Sequence, residues 1–447
     1  MLARSLGFLL LVGTTFIGAA TAGCGARTDF AELDDDFAIP TADAGPDAKP
    51  PKDSGPDGTP YVPQGKRCVR DPNEIVPPRF VIPPNSPKPP FPRPPQLEYS
   101  GGPLLRQPTI IPITFDGDEF RNEIEDFVAS VGCTDYWRTT MTDYGVGMAV
   151  SGTPIHLTET APTKITNDQI AAWLRKKIES KAFPDVEDVL YAIYYPASTL
   201  VLLDGERSCQ TFGAYHYEVE LTDSTKRAYS VMPRCSGFGN LSDIEELTVS
   251  SSHEFVEASS DPFPLTDPAH SHPVADGLAW ALVGGGENAD LCVFDEDAYI
   301  QPNGYPFTVQ RSWSNSSAFK GLDPCVPLPA GDYFGGALLL PDMITFDLGD
   351  GPVKGAGVSL AVGASKVIDV RAFGGAGTIQ LTANDLGPSL GESKTLDLKL
   401  SNSTAVDGDV LQLTIKRTGT TNYGVSPFMI RANKQGREKH WYGLVGD

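Results

Sequence analysis

The most informative stretch of the chain is Ser251-Ser252-His253-Glu254-Phe255-Val256-Glu257-Ala258-Ser259-Ser260-Asp261-Pro262. Ahead of it, Ser242-x-x-Glu245 forms a capping box, the pattern with which many helices begin. Pro262 cannot continue a helix, and the residue before a proline disfavours helical backbone. The sequence therefore predicts one helix from the capping box to Asp261, with this stretch in its second half.

Residues four apart share one face of a helix, so His253 and Glu257 are predicted to point at the same atom. Glu254 lies beside them, close enough to act on a molecule bound there. This is the logic of HExxH zinc sites, in which the intervening Glu is the general base. Here Glu257 replaces the second His, and a carboxylate also binds zinc. The alternative is a solvated helix face without a metal.

The flanking segments predict a domain that mixes helices and strands. Apolar periodicity predicts helices at 120–131 and after a second capping box, Thr166-x-x-Gln169. The near-continuous apolar run Val189–Tyr195 predicts a central strand. Further extended segments are predicted at 109–115, 147–157, 215–221 and 229–232.

Five short motifs follow one another in this region. They are Gly213-Ala214-Tyr215-His216, Tyr229-Ser230-Val231-Met232-Pro233, the stretch at 252–262, Glu287-Asn288-Ala289-Asp290-Leu291-Cys292 and Trp313-Ser314-Asn315. Together they resemble a family of secreted bacterial zincin-like metallopeptidases with an HExxE motif. The resemblance covers about half the chain, and the ordered set is more specific than any one motif. It implies an α+β zincin-like domain, a zinc cofactor and a protein or peptide substrate, without demonstrating an activity.

Catalytic zinc takes three protein ligands and a water, so a third ligand is needed beside His253 and Glu257. Glu287 is the first candidate, because it follows a Gly-rich turn and gluzincin-like sites use a downstream Glu. Asp290 is the second, either as a ligand or as a partner that orients His253. Both acids are equally explained as surface groups of an acidic chain. His270 and His272 compete as ligands from a loop.

His216 lies on a predicted extended segment and is a candidate catalytic residue. In zincins an edge strand borders the substrate cleft, so His216 could bind the metal or stabilise the oxyanion of a tetrahedral intermediate. A structural histidine behind the sheet explains it as well. His156 is assigned a structural role, and Trp280 and Trp313 are predicted to line the core or the cleft.

The first 24 residues have the layout of an export signal. A positive start, Met1-Leu2-Ala3-Arg4, precedes an apolar run that ends in Thr21-Ala22-Gly23-Cys24. The small residues before Cys24 resemble a bacterial lipobox, in which the cysteine is lipidated, although Thr21 in place of the usual Leu keeps ordinary cleavage as an alternative. Gly25 rather than Asp after Cys24 points to the outer membrane. The sequence thus predicts an exported chain that is lipid-anchored to the cell envelope.

The cysteines are consistent with export. Six remain after Cys24, an even number that predicts three disulfides. The sequence contains no CxxC pair, which argues against a zinc site made of thiolates. Pairing nearest neighbours gives Cys68–Cys133, Cys209–Cys235 and Cys292–Cys325, one of several connectivities that six cysteines allow.

Composition divides the 447-residue chain into four parts. A signal peptide at 1–24 is followed by a Pro-, Asp- and Gly-rich stretch at 25–104, which predicts a disordered tether. The zincin-like domain is predicted at 105–328. At 329–447, period-two alternation at 367–373, 378–381, 396–400, 410–415 and 428–430 predicts a β-sandwich.

The balance of 35 Lys+Arg against 57 Asp+Glu gives a formal net charge of -22. This charge argues against nucleic-acid binding and against anionic lipid surfaces. The leading hypothesis is a surface-anchored zinc-dependent peptidase. One alternative is a non-catalytic envelope or adhesion lipoprotein, in which the zincin-like domain is a scaffold and the β-sandwich binds a glycan or protein. Another is a calcium-stabilised structural domain, because carboxylate-rich sites suit harder cations.

Overall fold

The computed structural model describes residues 61–83, 86, 91–237, 240–270, 275–347 and 352–447. The predicted signal peptide, the predicted lipidation site Cys24, the first part of the predicted tether and His272 lie outside the described residues. Within them, a mixed α/β region is followed by a β-rich C-terminal region, as the sequence predicted in outline. None of the described helices has the length and apolar character that crossing a bilayer requires.

The first region contains both helices and strands, interspersed along the chain. The described helices are α1 (Arg121–Ser130), α2 (Asp135–Met141), α3 (Asn167–Glu179), α4 (Asp243–Ser260), α5 (Leu278–Gly284) and α6 (Asn315–Lys320). The strands are β1 (Thr109–Thr114), β2 (Val150–Ser151), β3 (Ile155–His156), β4 (Lys164–Thr166), β5 (Val189–Tyr195), β6 (Leu200–Leu203), β7 (Glu206–Arg207), β8 (Tyr215–Glu220), β9 (Lys226–Pro233), β10 (Tyr299–Ile300), β11 (Val309–Gln310), β12 (Ser312–Trp313) and β13 (Cys325–Val326).

The main sheet has the strand order β2-β1-β5-β9-β8, and β3 also pairs with β1. All of its pairings are parallel except that of β8, which runs antiparallel to β9 at the edge. Every residue of β5 is buried, as the apolar run predicted for a central strand. Helix α3 contributes to the core on one face of the sheet, and α1 and α4 contribute to the core on the other.

Helix α4 is the element on which the candidate site depends, and its predicted bounds are confirmed. Ser242 and Glu245 form the capping box at its start, and Asp261 ends it before Pro262. The helix packs against β9 and β8. Its second half therefore lies beside the one antiparallel edge of the main sheet.

The C-terminal region consists of two described sheets. Its strands are β14 (Gly335–Leu338), β15 (Asp342–Asp347), β16 (Pro352–Ser359), β17 (Ser365–Phe373), β18 (Ile379–Asp385), β19 (Leu396–Leu400), β20 (Thr404–Ala405), β21 (Val410–Arg417), β22 (Ser426–Lys434) and β23 (Arg437–Gly446). They form the orders β14-β17-β21-β19 and β15-β16-β23-β22-β18-β20. Strict alternation of exposed and buried residues along β21 confirms the period-two pattern.

The six described cysteines form three disulfides. They are Cys68–Cys133, Cys209–Cys235 and Cys292–Cys325, the pairs expected from the sequence. Disulfides persist in oxidising compartments and are rare in the cytosol. The pairing therefore indicates a protein that folds outside the cytoplasm.

Residues 61–83 and 91–104, which fall within the predicted tether, lie against the folded body. Backbone N–H groups of Gln64 and Gly65 donate to the Asp126 carboxylate on α1. Phe91 stacks on Phe373 of β17 at a centroid distance of 4.1 Å. The Cys68–Cys133 disulfide attaches residue 68 to the folded body. This part of the chain is therefore held in place although it contains few apolar residues.

One of the two hydrophobic cores extends from the first region into the β-rich region. Trp280 of α5 packs edge-on against Trp441 and Tyr442 of β23, with ring centroids 5.7 and 4.9 Å apart. Beside these rings the Lys439 ammonium lies 2.6, 3.1 and 2.9 Å from carboxylate oxygens of the first region, those of Asp295, Asp297 and Asp323. The β-rich region is thus joined to the segment that follows α5.

Candidate metal centre

The second half of α4 is buried on all sides, so it is not a solvated helix face. Its serines make this possible, because each hydroxyl donates to a backbone carbonyl three or four residues earlier. These serines are Ser251, Ser252, Ser259 and Ser260. Small side chains that satisfy their own hydrogen bonds let the helix enter the interior and carry His253, Glu254 and Glu257 with it.

His253 and Glu257 lie one turn apart and converge with Asp290. His253 Nε2 is 3.2 Å from Glu257 Oε2 and 3.5 Å from Asp290 Oδ1. One candidate ligand atom from each residue lies within 4.8 Å of the others. Zinc bonds of about 2.0–2.1 Å place neighbouring tetrahedral ligands about 3.3–3.4 Å apart. The spacing of these atoms therefore fits a coordination shell.

Gln310 fixes which nitrogen of His253 carries the hydrogen. Gln310 Nε2 donates to the Ala289 carbonyl at 2.8 Å, which turns Gln310 Oε1 toward His253 Nδ1 at 3.0 Å. An amide oxygen only accepts, so Nδ1 carries a hydrogen, and whenever the ring is neutral its lone pair is on Nε2. Nε2 is buried with no hydrogen-bond partner among the described residues. This is the tautomer that a metal ligand requires.

Glu257 is held from its other side by the loop that carries Asp290. Glu257 Oε1 accepts the backbone N–H groups of Ala289 and Asp290 at 3.1 and 3.0 Å, which directs Oε2 toward His253. The loop turns at Gly285, whose φ of 111° lies in the region that favours glycine. A Cβ there would collide with Asp290 Oδ2. The predicted Gly-rich turn thus makes room for the Asp290 carboxylate.

His216 forms a second cluster beside the first. Strand β8 places its ring against α4, with His216 Nδ1 3.4 Å from Glu254 Oε2 and 3.8 Å from Glu257 Oε2. Its Nε2 lies 3.0 Å from the Asp261 carbonyl oxygen and 3.5 Å from Glu287 Oε1. His216, Glu254 and Glu257 form a second group of candidate ligands. Glu257 belongs to both groups.

Five buried carboxyl groups surround the two imidazoles. They belong to Glu254, Glu257, Asp261, Glu287 and Asp290. Burial raises the pKa of Glu254 to about 7, although the hydrogen bond from His216 opposes the shift. Burial likewise raises the pKa of Asp290 to about 6 and that of Asp261 to about 7. The carboxylates of this cluster are therefore costly to ionise without nearby positive charge.

The surrounding carboxyl groups raise the pKa values of the two imidazoles, which favours their charged form. Burial alone would lower the pKa of His216, but the charges of Glu287, Glu254 and Glu257 outweigh it and raise the pKa to about 10. Burial also opposes ionisation of His253, whose pKa nevertheless lies well above its usual range, chiefly because of Glu257. Both rings thus lie where positive charge is strongly favoured.

The predicted third ligands lie in different places. Asp290 lies with His253 and Glu257, whereas Glu287 lies against His216. His270 belongs to neither ligand group and packs between the rings of Tyr99 and Tyr144, at centroid distances of 5.1 and 5.0 Å. Of the two acids, Asp290 is therefore the one that lies beside His253.

The remaining candidates lie away from the centre. His156 is exposed and contacts Glu125, with His156 Nε2 2.6 Å from Glu125 Oε1. Trp280 and Trp313 are buried against each other, with ring centroids 5.4 Å apart. Sequence reasoning missed Gln310, which no motif marks, and treated Asp261 only as the end of a helix.

Burial of His270 has a consequence for stability at low pH. Burial first, and then the charge of Arg79, lowers the pKa of His270 to about 3, below its ordinary value of 6.5. The unfolded chain therefore binds a proton below pH 6.5 that the folded chain does not, and stability falls by about 1.4 kcal/mol per pH unit. Between pH 7 and pH 4.5, we expect the free energy of unfolding of His270→Phe to fall by about 2–3 kcal/mol less than that of wild type. Chemical denaturation at the two pH values measures this difference. The exposed control His156→Phe should follow wild type, and equal losses in all three proteins would contradict the prediction.

The chain matches no protein-family model and no curated protein. Its function is therefore inferred from the geometry of the centre and from the chemistry of the residues there.

Proposed function

We propose that this chain is a zinc-dependent peptidase, exported and held at the bacterial cell surface by a lipid on Cys24. His253, Glu257 and Asp290 would hold the zinc, and Glu254 would be the general base. A mixed sheet with an antiparallel edge strand beside a buried helix supports a zincin-like α+β domain. The two C-terminal sheets support the predicted β-sandwich, and the disulfides support export.

The observation that carries the proposal is the direction of the His253 ring. With Nδ1–H donated to Gln310, Nε2 faces oxygens of Glu257 and Asp290. The distances of 3.2 and 3.5 Å exceed the roughly 2.7–2.9 Å of charge-assisted hydrogen bonds. A cation between the three atoms would occupy a place where positive charge is favoured, and it accounts for their spacing.

Bound zinc would polarise the scissile carbonyl and acidify water. Glu254 adjoins His253 on α4, so its carboxylate is placed to accept a proton from the attacking water and to return it to the leaving amine. Burial raises the pKa of Glu254 to about 7, against the effect of His216, and a base with such a pKa exchanges protons readily near neutral pH. Glu254 Oε1 is buried with no hydrogen-bond partner among the described residues.

A second candidate function is a non-catalytic envelope protein whose cation is structural. The observation in its favour is the burial of the centre: the exposed fractions of Glu254 and Glu257 are 0%, and that of His253 is 4%. Structural metal sites are closed, whereas catalytic sites keep a position open to substrate. In this case the β-rich region would carry the binding function, and calcium would be as suitable as zinc.

The metal content of the purified full chain tests the proposal. We expect at least one equivalent of zinc by inductively coupled plasma mass spectrometry, because His253, Glu257 and Asp290 supply three ligands. His253→Ala should remove one equivalent. The control His156→Ala removes an exposed imidazole on β3 and should remove none.

Each outcome separates the candidates. Zinc together with hydrolysis of denatured casein supports the peptidase. Stoichiometric calcium, or zinc in a protein that hydrolyses no peptide, supports the structural cation. A chain that binds neither metal contradicts both forms of the proposal.

A further inference from the structure

We propose that the centre holds two divalent cations that share Glu257, the second bound by His216, Glu254 and Glu257. This inference rests on the proposed function, whose zinc at His253, Glu257 and Asp290 is the first cation. Two-cation centres recur in hydrolytic enzymes, including aminopeptidases.

The two ligand groups are separate except for one carboxylate. His253 and Asp290 belong only to the first group, and His216 and Glu254 belong only to the second. Both imidazoles approach the same oxygen of Glu257, Oε2, at 3.2 Å from His253 and 3.8 Å from His216. A carboxylate oxygen has two lone pairs, so one atom can serve two cations.

The His216 ring is oriented much as that of His253 is. Its Nε2 is 3.0 Å from the Asp261 carbonyl oxygen, which only accepts, so Nε2 carries a hydrogen. Its other nitrogen, Nδ1, faces Glu254 Oε2 at 3.4 Å and Glu257 Oε2 at 3.8 Å. These distances exceed the roughly 2.7–2.9 Å of charge-assisted hydrogen bonds. A cation among the three atoms satisfies all of them.

Two further observations point to a ligand at this place. Glu254 Oε1 is fully buried with no hydrogen-bond partner among the described residues, although its carboxyl group faces His216. The cluster also buries five carboxyl groups. When all five are ionised and both imidazoles are neutral, one divalent cation leaves three buried negative charges, whereas two cations leave one.

The ligand chemistry defines the class of cation. One imidazole and two carboxylates at each position suit Zn²⁺ or Mn²⁺, whereas soft ions that need thiolates have no ligand here. In this arrangement Glu254 binds through Oε2, and Oε1 remains for the proton. The second position therefore extends the proposed peptidase centre.

Isothermal titration calorimetry of zinc binding to the chelator-treated full chain tests the inference. We expect two equivalents for wild type, one for His216→Ala and one for His253→Ala. Glu257→Ala should weaken both positions, because both use its Oε2. The exposed control His156→Ala should keep two equivalents.

Native mass spectrometry of the unmutated chain counts the bound ions without any variant, so a misfolded variant does not leave the question open. One zinc per wild-type chain, unchanged in His216→Ala, would overturn the second cation and leave the proposed function standing. The proposed function itself fails if the wild-type chain binds no zinc, or binds zinc and hydrolyses no peptide. An imidazolium at His216, detected by nitrogen NMR in the zinc-saturated protein, would also contradict the second position.

Discussion

Glu254→Gln is expected to lower peptide hydrolysis by about 10²–10⁴-fold, the contribution of a well-placed general base. The amide has the size of the carboxylate but cannot accept a proton. Burial, opposed by the hydrogen bond from His216, sets the pKa of Glu254 at about 7, so the wild-type carboxyl group is poised to exchange protons near neutral pH. The measurement is kcat on a quenched-fluorescence peptide, with KM determined in parallel, because loss of a base lowers kcat and leaves binding intact.

Glu246→Gln is the matched control for this variant. Glu246 lies on the same helix, is buried, and accepts a hydrogen bond from the Gly237 backbone N–H. The change of charge and shape is identical, but Glu246 belongs to neither ligand group. Activity within a few-fold of wild type is expected for Glu246→Gln. If Glu254→Gln also retains activity within tenfold, Glu254 is not the base.

Retained zinc distinguishes a catalytic role from a structural one. The first position uses His253, Glu257 and Asp290, so Glu254→Gln should keep the zinc bound there. A variant that loses both zinc and activity would show that Glu254 acts mainly as a ligand. The structural-cation alternative predicts no activity in wild type or in either variant.

Local signals in the sequence were sufficient for the elements that form the site. A capping box at each start and a proline at one end predicted α3 and α4, and the apolar run predicted β5 residue for residue. The HExxE spacing predicted that His253 and Glu257 converge, because helix geometry alone imposes it. These features depend on neighbours within a few residues.

Contacts between distant segments were not accessible in the same way. Gln310 reaches His253 across 57 positions, and no residue near it in the sequence marks this role. The choice between Glu287 and Asp290 depends on how the loop after α5 turns, and they lie only three positions apart. The predicted tether includes 61–83 and 91–104, and composition does not reveal that Asp126 accepts hydrogen bonds from Gln64 and Gly65 or that Phe91 stacks on Phe373.

The junction between the two regions is another contact of this kind. A boundary at 328–329 follows from the change in periodicity, yet Trp280 of α5 packs on Trp441 and Tyr442 of β23. Alternation along a strand indicates which side chains are buried, but not what they are buried against. The loop that carries Asp290 follows α5 directly, so the β-rich region supports the candidate centre through this helix.

Lys439→Met is therefore expected to destabilise the whole protein, by about 3–5 kcal/mol. The Lys439 ammonium has three donors, and each faces a carboxylate of the first region, at Asp295, Asp297 and Asp323. Burial raises the pKa of Asp323 to about 6, and Lys439 opposes this shift. Methionine preserves the apolar stem but removes the ammonium, so the buried Asp323 and the half-buried Asp295 lose its charge, whereas Asp297 keeps the Arg311 guanidinium at 2.8 Å. Urea denaturation at pH 7 measures the loss.

Lys416→Met on β21 is the matched control, because it makes the same change at an exposed strand position. It should alter stability by less than about 0.5 kcal/mol. Adding Asp323→Asn to Lys439→Met should recover part of the loss, since the amide removes one stranded charge and keeps an oxygen for the Cys325 N–H. Such recovery is specific to electrostatics and would not follow from a packing defect. A loss below about 1 kcal/mol for Lys439→Met would mean that the three carboxylates reach solvent, and that the regions are joined by the aromatic core alone.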